Sequence, residues 1–131
     1  MVVDSSIIVA IIQEESDAAV WIDILDRTPQ AFLSVVSYVE TSMVIAGRRS
    51  DADLGRVDAT LKALHVSVVP VTVDQGAVAL AGFLRFGRGR HSAGLNIGDC
   101  FAYALAKSRD LPLLFKGDDF AKTDIVPAWR R

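Results

Sequence analysis

The sequence predicts an α/β domain built on a mainly parallel central sheet of four to five strands, and three observations carry that expectation. Short runs of Val, Leu and Phe alternate with longer stretches whose apolar residues recur every three to four positions. This is the pattern of strands joined by crossover helices. Apolar residues make up 51% of the chain, as expected where helices cover both faces of a parallel sheet. No internal repeat, low-complexity tract or linker breaks the alternation, so residues 1–131 are read as one domain.

Val2-Val3 is the first strand and ends at Asp4; a helix starts over Ile7 to Ile12 until Gln13-Glu-Glu-Ser-Asp17 interrupts it. Ala18, Trp21, Ile22 and Leu25 mark a second helix that Thr28-Pro29 stops before the second strand, Ala31-Phe-Leu. Tyr38 to Ala46 reads as the third helix, with Ser37 and Glu40 spaced as a capping box. Leu54, Val57, Leu61 and Leu64 form the stripe of a fourth helix introduced by Ser50-Asp-Ala-Asp, and Val66 to Val71 is the third strand. Ala77, Leu80, Ala81 and Leu84 give a fifth helix closed by Gly87 and Gly89; Ile97, Phe101, Ala104 and Leu105 give a sixth. Leu113-Leu-Phe is the fourth strand, and Ile125-Val a short last one.

A formal net charge of −2 and a sequence pI near 5.6 exclude a globally basic nucleic-acid binder. Any such surface must be local. Cys100 is the only cysteine, which excludes an internal disulfide framework and suits a reducing cytoplasm. No apolar run approaches the ~20 residues that span a bilayer, and no secretory leader pattern opens the chain, so no membrane association is expected. The mean hydropathy of +0.34 is high; apolar surface left after folding points to a protein partner.

The acids carry the functional signal. Asp4, Glu40, Asp99 and the Asp118-Asp119 pair each stand where a strand ends or a helix begins. In a parallel α/β sheet those positions share one edge, where ligands bind. Taken singly, each is a helix cap or a turn residue. Together they point to a carboxylate pocket, because caps are equally well made by Ser, Thr or Asn, whereas a hard-metal site needs carboxylates. Mg²⁺ or Mn²⁺ is the natural counter-ion for acids that would otherwise repel one another. Ser6 either starts its helix or hydrogen-bonds a liganding carboxylate. His65 reads as a helix-end residue, Cys100 as a small core residue, and neither histidine has a partner at zinc spacing. Arg85, Arg88 and Arg90, interleaved with Gly87 and Gly89, form the one dense basic run and are candidate contacts to an RNA backbone.

With those residues in view, the chain resembles the PIN-domain ribonucleases, and within them the VapC-type toxins of type II toxin–antitoxin pairs. The likeness runs through Val3-Asp4-Ser-Ser, Ser37-Tyr-Val-Glu40, Asn96-Ile-Gly-Asp99-Cys-Phe-Ala and Phe115-Lys-Gly-Asp-Asp-Phe120, and spans essentially the whole chain. It implies a three-layer α/β/α sandwich, Mg²⁺-dependent hydrolysis of RNA leaving a 5′-phosphate and a 3′-hydroxyl, a homodimer, and neutralisation by a VapB-type antitoxin. It carries the acidic triad onto Asp4, Glu40 and Asp99, with Asp4 and Asp99 as direct ligands and Glu40 in a looser role. The fourth acid falls on Asp118, with Asp119 the alternative one residue on, otherwise supporting the turn beside Phe120. Where the wider family commonly has a hydroxyl residue two before the fourth acid, this chain has Lys116.

Rival readings remain distinct. A phosphotransfer domain wants an Asp ending its third strand, and a haloacid-dehalogenase-like phosphatase wants one where Ser6 stands; both lack a residue their chemistry needs. A non-catalytic PIN-like binding protein would keep the acids only as caps.

Overall fold

A computed structural model describes residues 1–130. Strands β1 (Val2–Val3), β2 (Ala31–Ser34), β3 (Val66–Val69) and β4 (Leu113–Leu114) form one sheet in the order β3-β2-β1-β4, with every pairing parallel. Helices α1 (Ser5–Ile12), α2 (Ala18–Asp26), α3 (Val35–Arg48), α4 (Gly55–Ala63), α5 (Val73–Phe86) and α6 (Ile97–Arg109) flank it. Parallel pairing requires such crossovers, because the chain must return to the starting edge before each new strand.

Alternation along the strands sorts side chains into two cores. Val3, Leu33 and Leu114 join Ile7, Ile8, Trp21, Leu25, Val57 and Leu61 on one side of the sheet. Val2 and Leu113, with half-buried Phe32, join Ala79, Phe86, Tyr103 and Leu105 on the other. The result is the expected three-layer sandwich, in which a one-residue slip of β1 would exchange its two faces.

Four expectations shift at their edges. Helix α3 begins at Val35, because the Ser34 hydroxyl accepts a hydrogen bond from the Val36 N–H at 3.3 Å. Ser37 therefore lies inside the first turn, the Ser37/Glu40 capping box does not form, and Glu40 projects from the second turn. Leu54 precedes α4 behind a 3₁₀ turn over Asp51–Asp53 and stays 37% exposed. Strand β3 stops at Val69, before a proline that has no N–H to donate. The short last strand is reduced to a bridge beside β4, where Leu113 donates to Val126 and Ala128 donates back to Leu113. Pro127 between them cannot extend the ladder. Among the described residues, no helix is long and apolar enough to cross a membrane.

The layer of α5 and α6 depends on Gly82, since a Cβ there would stand 2.7 Å from the Tyr103 ring. Gly82→Ala is expected to lower the unfolding free energy by about 1 kcal/mol. Overpacking costs about 1–3 kcal/mol, of which better helix propensity returns about 0.5–1. Urea unfolding checks this, and a variant as stable as its parent would remove Gly82 from the packing argument.

Candidate active site

Strand order reverses between β1 and β4, and the crevice at such a reversal opens at the strands' carboxyl ends. Asp4 sits there as the N-cap of α1, its Oδ2 accepting the Ser6 N–H at 3.0 Å. It is 4% exposed, and its Oδ1 is buried with no hydrogen-bond partner. Glu40 reaches in from α3 and accepts a hydrogen bond from the Ser5 hydroxyl. Its carboxylate lies against Gly98, where a Cβ would come within 2.0 Å of Oε2. Asp99 opens α6 in a full capping box: its N–H donates to the Asn96 side chain at 2.9 Å, and its Oδ2 accepts the Asn96 N–H at 3.0 Å. Asp119 completes the group from the turn after β4, and together these acids line a cleft of about 400 Å³.

The acids interact through space. Burial pushes the Asp99 carboxyl up to about 6, helped by the charges of Asp4, Glu40 and Asp119 and opposed by the Asn96 N–H. Burial also raises Asp4; hydrogen bonds from Ser6 pull the other way, and the Glu40 charge adds to the rise. Among the described residues, no three His, Cys, Asp or Glu side chains are already closed around a common point. The acids line one cleft without meeting at a single point. A buried oxygen that no protein donor reaches, among acids that disfavour one another's ionisation, is where a hard divalent cation is favoured. The all-oxygen donor set suits Mg²⁺ or Mn²⁺ rather than zinc. The residues fit such an ion.

The structure separates the two candidate fourth acids. Asp119, not Asp118, shares the cleft with Asp4, Glu40 and Asp99; Asp118 faces a neighbouring cavity. The tight turn through Gly117, at φ +95°, aims the two adjacent acids to different sides. The Ser6 N–H donates to Asp4, the bond of the helix cap, while its hydroxyl accepts the Lys116 N–H at 3.1 Å. None of the three arginines of the basic run lines the cleft. Arg85 pairs with Asp124 at 3.1 Å and lies over the Phe86 ring, Arg90 donates to the Leu84 carbonyl, and Arg88 is exposed. The cations on the cleft wall are instead Arg48, at the end of α3, and Lys116. Ser5 was missed; its place directly after a capping Asp reads as helix initiation, and only the fold brings it to Glu40.

With a carboxylate cleft at the switch point of a parallel α/β/α sandwich in view, the family model for the PIN domain matches residues 1–126. The chain belongs to the PIN-domain family. Its relatives there are VapC ribonucleases, RNA-hydrolysing enzymes. It is 43% identical over 126 residues to a Ribonuclease VapC of Mycolicibacterium smegmatis, covering 96% of this chain and 98% of that one. It is 42% identical to Ribonuclease VapC30 of Mycobacterium tuberculosis, with 96% of each chain covered. Among solved structures, Mycobacterium tuberculosis VapC20, described as a Sarcin-Ricin loop cleaving toxin, superposes with a TM-score of 0.78 at 16% identity, covering 95% of both chains. A toxin–antitoxin complex from Klebsiella pneumoniae gives 0.68 at 17% identity, over 94% of this chain and 92% of that one. Those two likenesses concern the fold.

The raised carboxyl of Asp99 has a consequence for stability. Its proton is held more tightly in the folded chain, at about 6, than at the ordinary value of 3.8. The stability it contributes is therefore fully present below about pH 4 and is lost as pH rises through 6. In EDTA, Asp99→Asn is expected to melt above the wild type at pH 7, with the gap narrowing as pH falls to 4. A melting difference independent of pH would show that Asp99 is not under that strain.

Proposed function

We propose that this chain, acting as one domain over residues 1–131, is a Mg²⁺- or Mn²⁺-dependent endoribonuclease, the toxin of a toxin–antitoxin pair working in the cytoplasm. The observation that supports the metal-dependent reading is the buried, partnerless Oδ1 of Asp4, a residue that lines one cleft with Asp99 and Glu40. Kinship with VapC ribonucleases over nearly the whole chain supports RNA as substrate.

Asp4 and Asp99 are the direct ligands, each already fixed by the backbone hydrogen bonds of its helix cap, so little side-chain entropy is lost on binding. When bound, the cation supplies Lewis-acid stabilisation of charge on the phosphate and makes water acidic enough to attack at neutral pH. Glu40, steadied by Ser5 and by the bare backbone of Gly98, takes the proton from the attacking water. The new bond joins water oxygen to phosphorus and the P–O3′ bond breaks, the departing O3′ taking a proton from solvent, which leaves a 5′-phosphate and a 3′-hydroxyl. Asp119 takes the place expected of Asp118 as fourth acid, on the exposed rim. Arg48, beside the cleft, offsets the repulsion between these acids and a polyanion.

The partners follow from chemistry on the surface. A VapB-type antitoxin is the restraining partner, by analogy with the complexed neighbour. The exposed apolar stripe Leu80, Phe83 and Leu84 on α5, continued by Ile97, is the face for a second copy of the chain. Arg85, Arg88 and Arg90 are left as outlying contacts to the RNA backbone, with Arg88 the freest of them.

Cleavage of a mixed RNA pool by antitoxin-free protein is expected with Mg²⁺ or Mn²⁺ and to vanish in EDTA. Asp4→Asn, Asp99→Asn and Glu40→Gln should each abolish it while preserving the circular dichroism spectrum. Ser5→Ala should lose about 10- to 100-fold, as is usual for a residue that orients a metal-site carboxylate. Undiminished cutting by Asp99→Asn would refute the site. For the dimer, Leu80→Glu with Leu84→Glu is expected to halve the mass measured by light scattering; an unchanged mass moves the interface elsewhere.

A further inference from the structure

Beside the acidic cleft lies a second cavity of about 690 Å³, separated from it by Lys116, which lines both. Its walls combine aromatic and charged groups in a way the phosphodiester chemistry does not use. Phe115 and Trp129 are half-buried and border it, and Trp21 packs edge-on against Trp129 with ring centroids 5.1 Å apart. The Trp21 Nε1 is buried and finds no hydrogen bond of good geometry, although the Asp17 carboxylate lies near it. Lys116 is spoken for, since its Nζ pairs with Glu15 and, at 3.0 Å, with Asp17. Arg130 and Asp118 supply the remaining charges, and Asp118 is exposed.

Resting on the ribonuclease reading above, we infer that this cavity is a subsite for the nucleobase flanking the scissile phosphate, selecting guanine over uracil. Single-stranded RNA is recognised by splaying bases onto aromatic side chains and reading their Watson–Crick edges. Phe115 and Trp129 supply the stacking surface, and Arg130 a cation for the flanking phosphate. Asp118 supplies a carboxylate that only accepts hydrogen bonds. Guanine offers it two parallel donors, N1–H and an amino N–H. Uracil places a carbonyl oxygen on each side of its single N–H, and both oxygens repel a carboxylate. One residue thickness separates the two cavities, so a base in the second belongs to the same strand as a phosphate in the first. The acid that the Gly117 turn carries away from the metal-binding group thereby gains a use of its own.

The chain contains two tryptophans, and both line this cavity, so their fluorescence reports its occupancy without any catalysis. Full-length Asp99→Asn protein in EDTA is titrated with guanosine 5′-monophosphate and uridine 5′-monophosphate. Saturable quenching is expected with the guanosine nucleotide at about tenfold lower concentration, within the range for one bidentate base contact. Asp118→Asn, an exposed change that leaves the core untouched, should bring the two titrations together. On the otherwise wild-type enzyme it should raise KM for oligonucleotides with guanine next to the cut while leaving kcat unchanged. Trp129→Ala, its fold checked by circular dichroism, should raise KM for both bases. No quenching, or equal quenching that Asp118→Asn does not alter, in a protein that still cuts RNA overturns the subsite and leaves the nuclease standing. Selective quenching in a protein whose wild type cuts no RNA sustains the base pocket and overturns the ribonuclease reading instead.

Discussion

Mutual repulsion among Asp4, Glu40, Asp99 and Asp119 is the constraint around which the rest is arranged. Gathering these carboxylates in a cleft costs free energy in the isolated chain: burial first, and the neighbouring charges after it, raise the Asp4 and Asp99 carboxyls. The sandwich tolerates this because each main acid is gripped by structure that forms for other reasons. Asp4 and Asp99 cap helices that bury apolar faces, and Glu40 projects from a helix whose Ile45 is fully buried. Two hydrophobic layers thus hold in place what electrostatics would disperse, a common balance where stability is traded for a working site.

Much of this was legible in the sequence, for identifiable reasons. Helix and strand order follow from periodicity, which buries the same residues whatever the details of the turns. Asp4 and Asp99 announce themselves because their caps are local, formed with residues two or three positions away. Glu40 was singled out by its place near a helix start, and it is its rival reading as a cap that does not hold. Its spacing from Ser37 mimics a capping box, yet Ser34 caps the helix and the true partner of Glu40, Ser5, is 35 residues away. The choice between Asp118 and Asp119 depends on how Gly117 turns the backbone, and no periodicity encodes that angle. The basic run also looked freer than it is. Asp124 and the carbonyl of Leu84, neither identifiable as partners from the run itself, occupy Arg85 and Arg90.

The sheet order explains why so few residues suffice. With β1 central and flanked by β2 and β4, the residue after β1 meets the residues after both neighbours, and the helices that follow return their own N-termini to the same edge. Four separate chain segments converge there without any long loop. The backbone N–H groups at these helix starts also lend positive charge to the edge, which moderates the repulsion there.

Lys116 has a wider significance than its ion pairs. It is the partition between two chambers, anchored through its N–H to Ser6 and through its side chain to Glu15 and Asp17. A change at this one position would disturb the acidic cleft and the aromatic chamber together, so neither can be remodelled alone by that route. Divergence among relatives should therefore run through the outer walls, Trp129, Arg130 and Asp118, where the aromatic chamber can be reshaped in single steps that leave the acidic cleft intact.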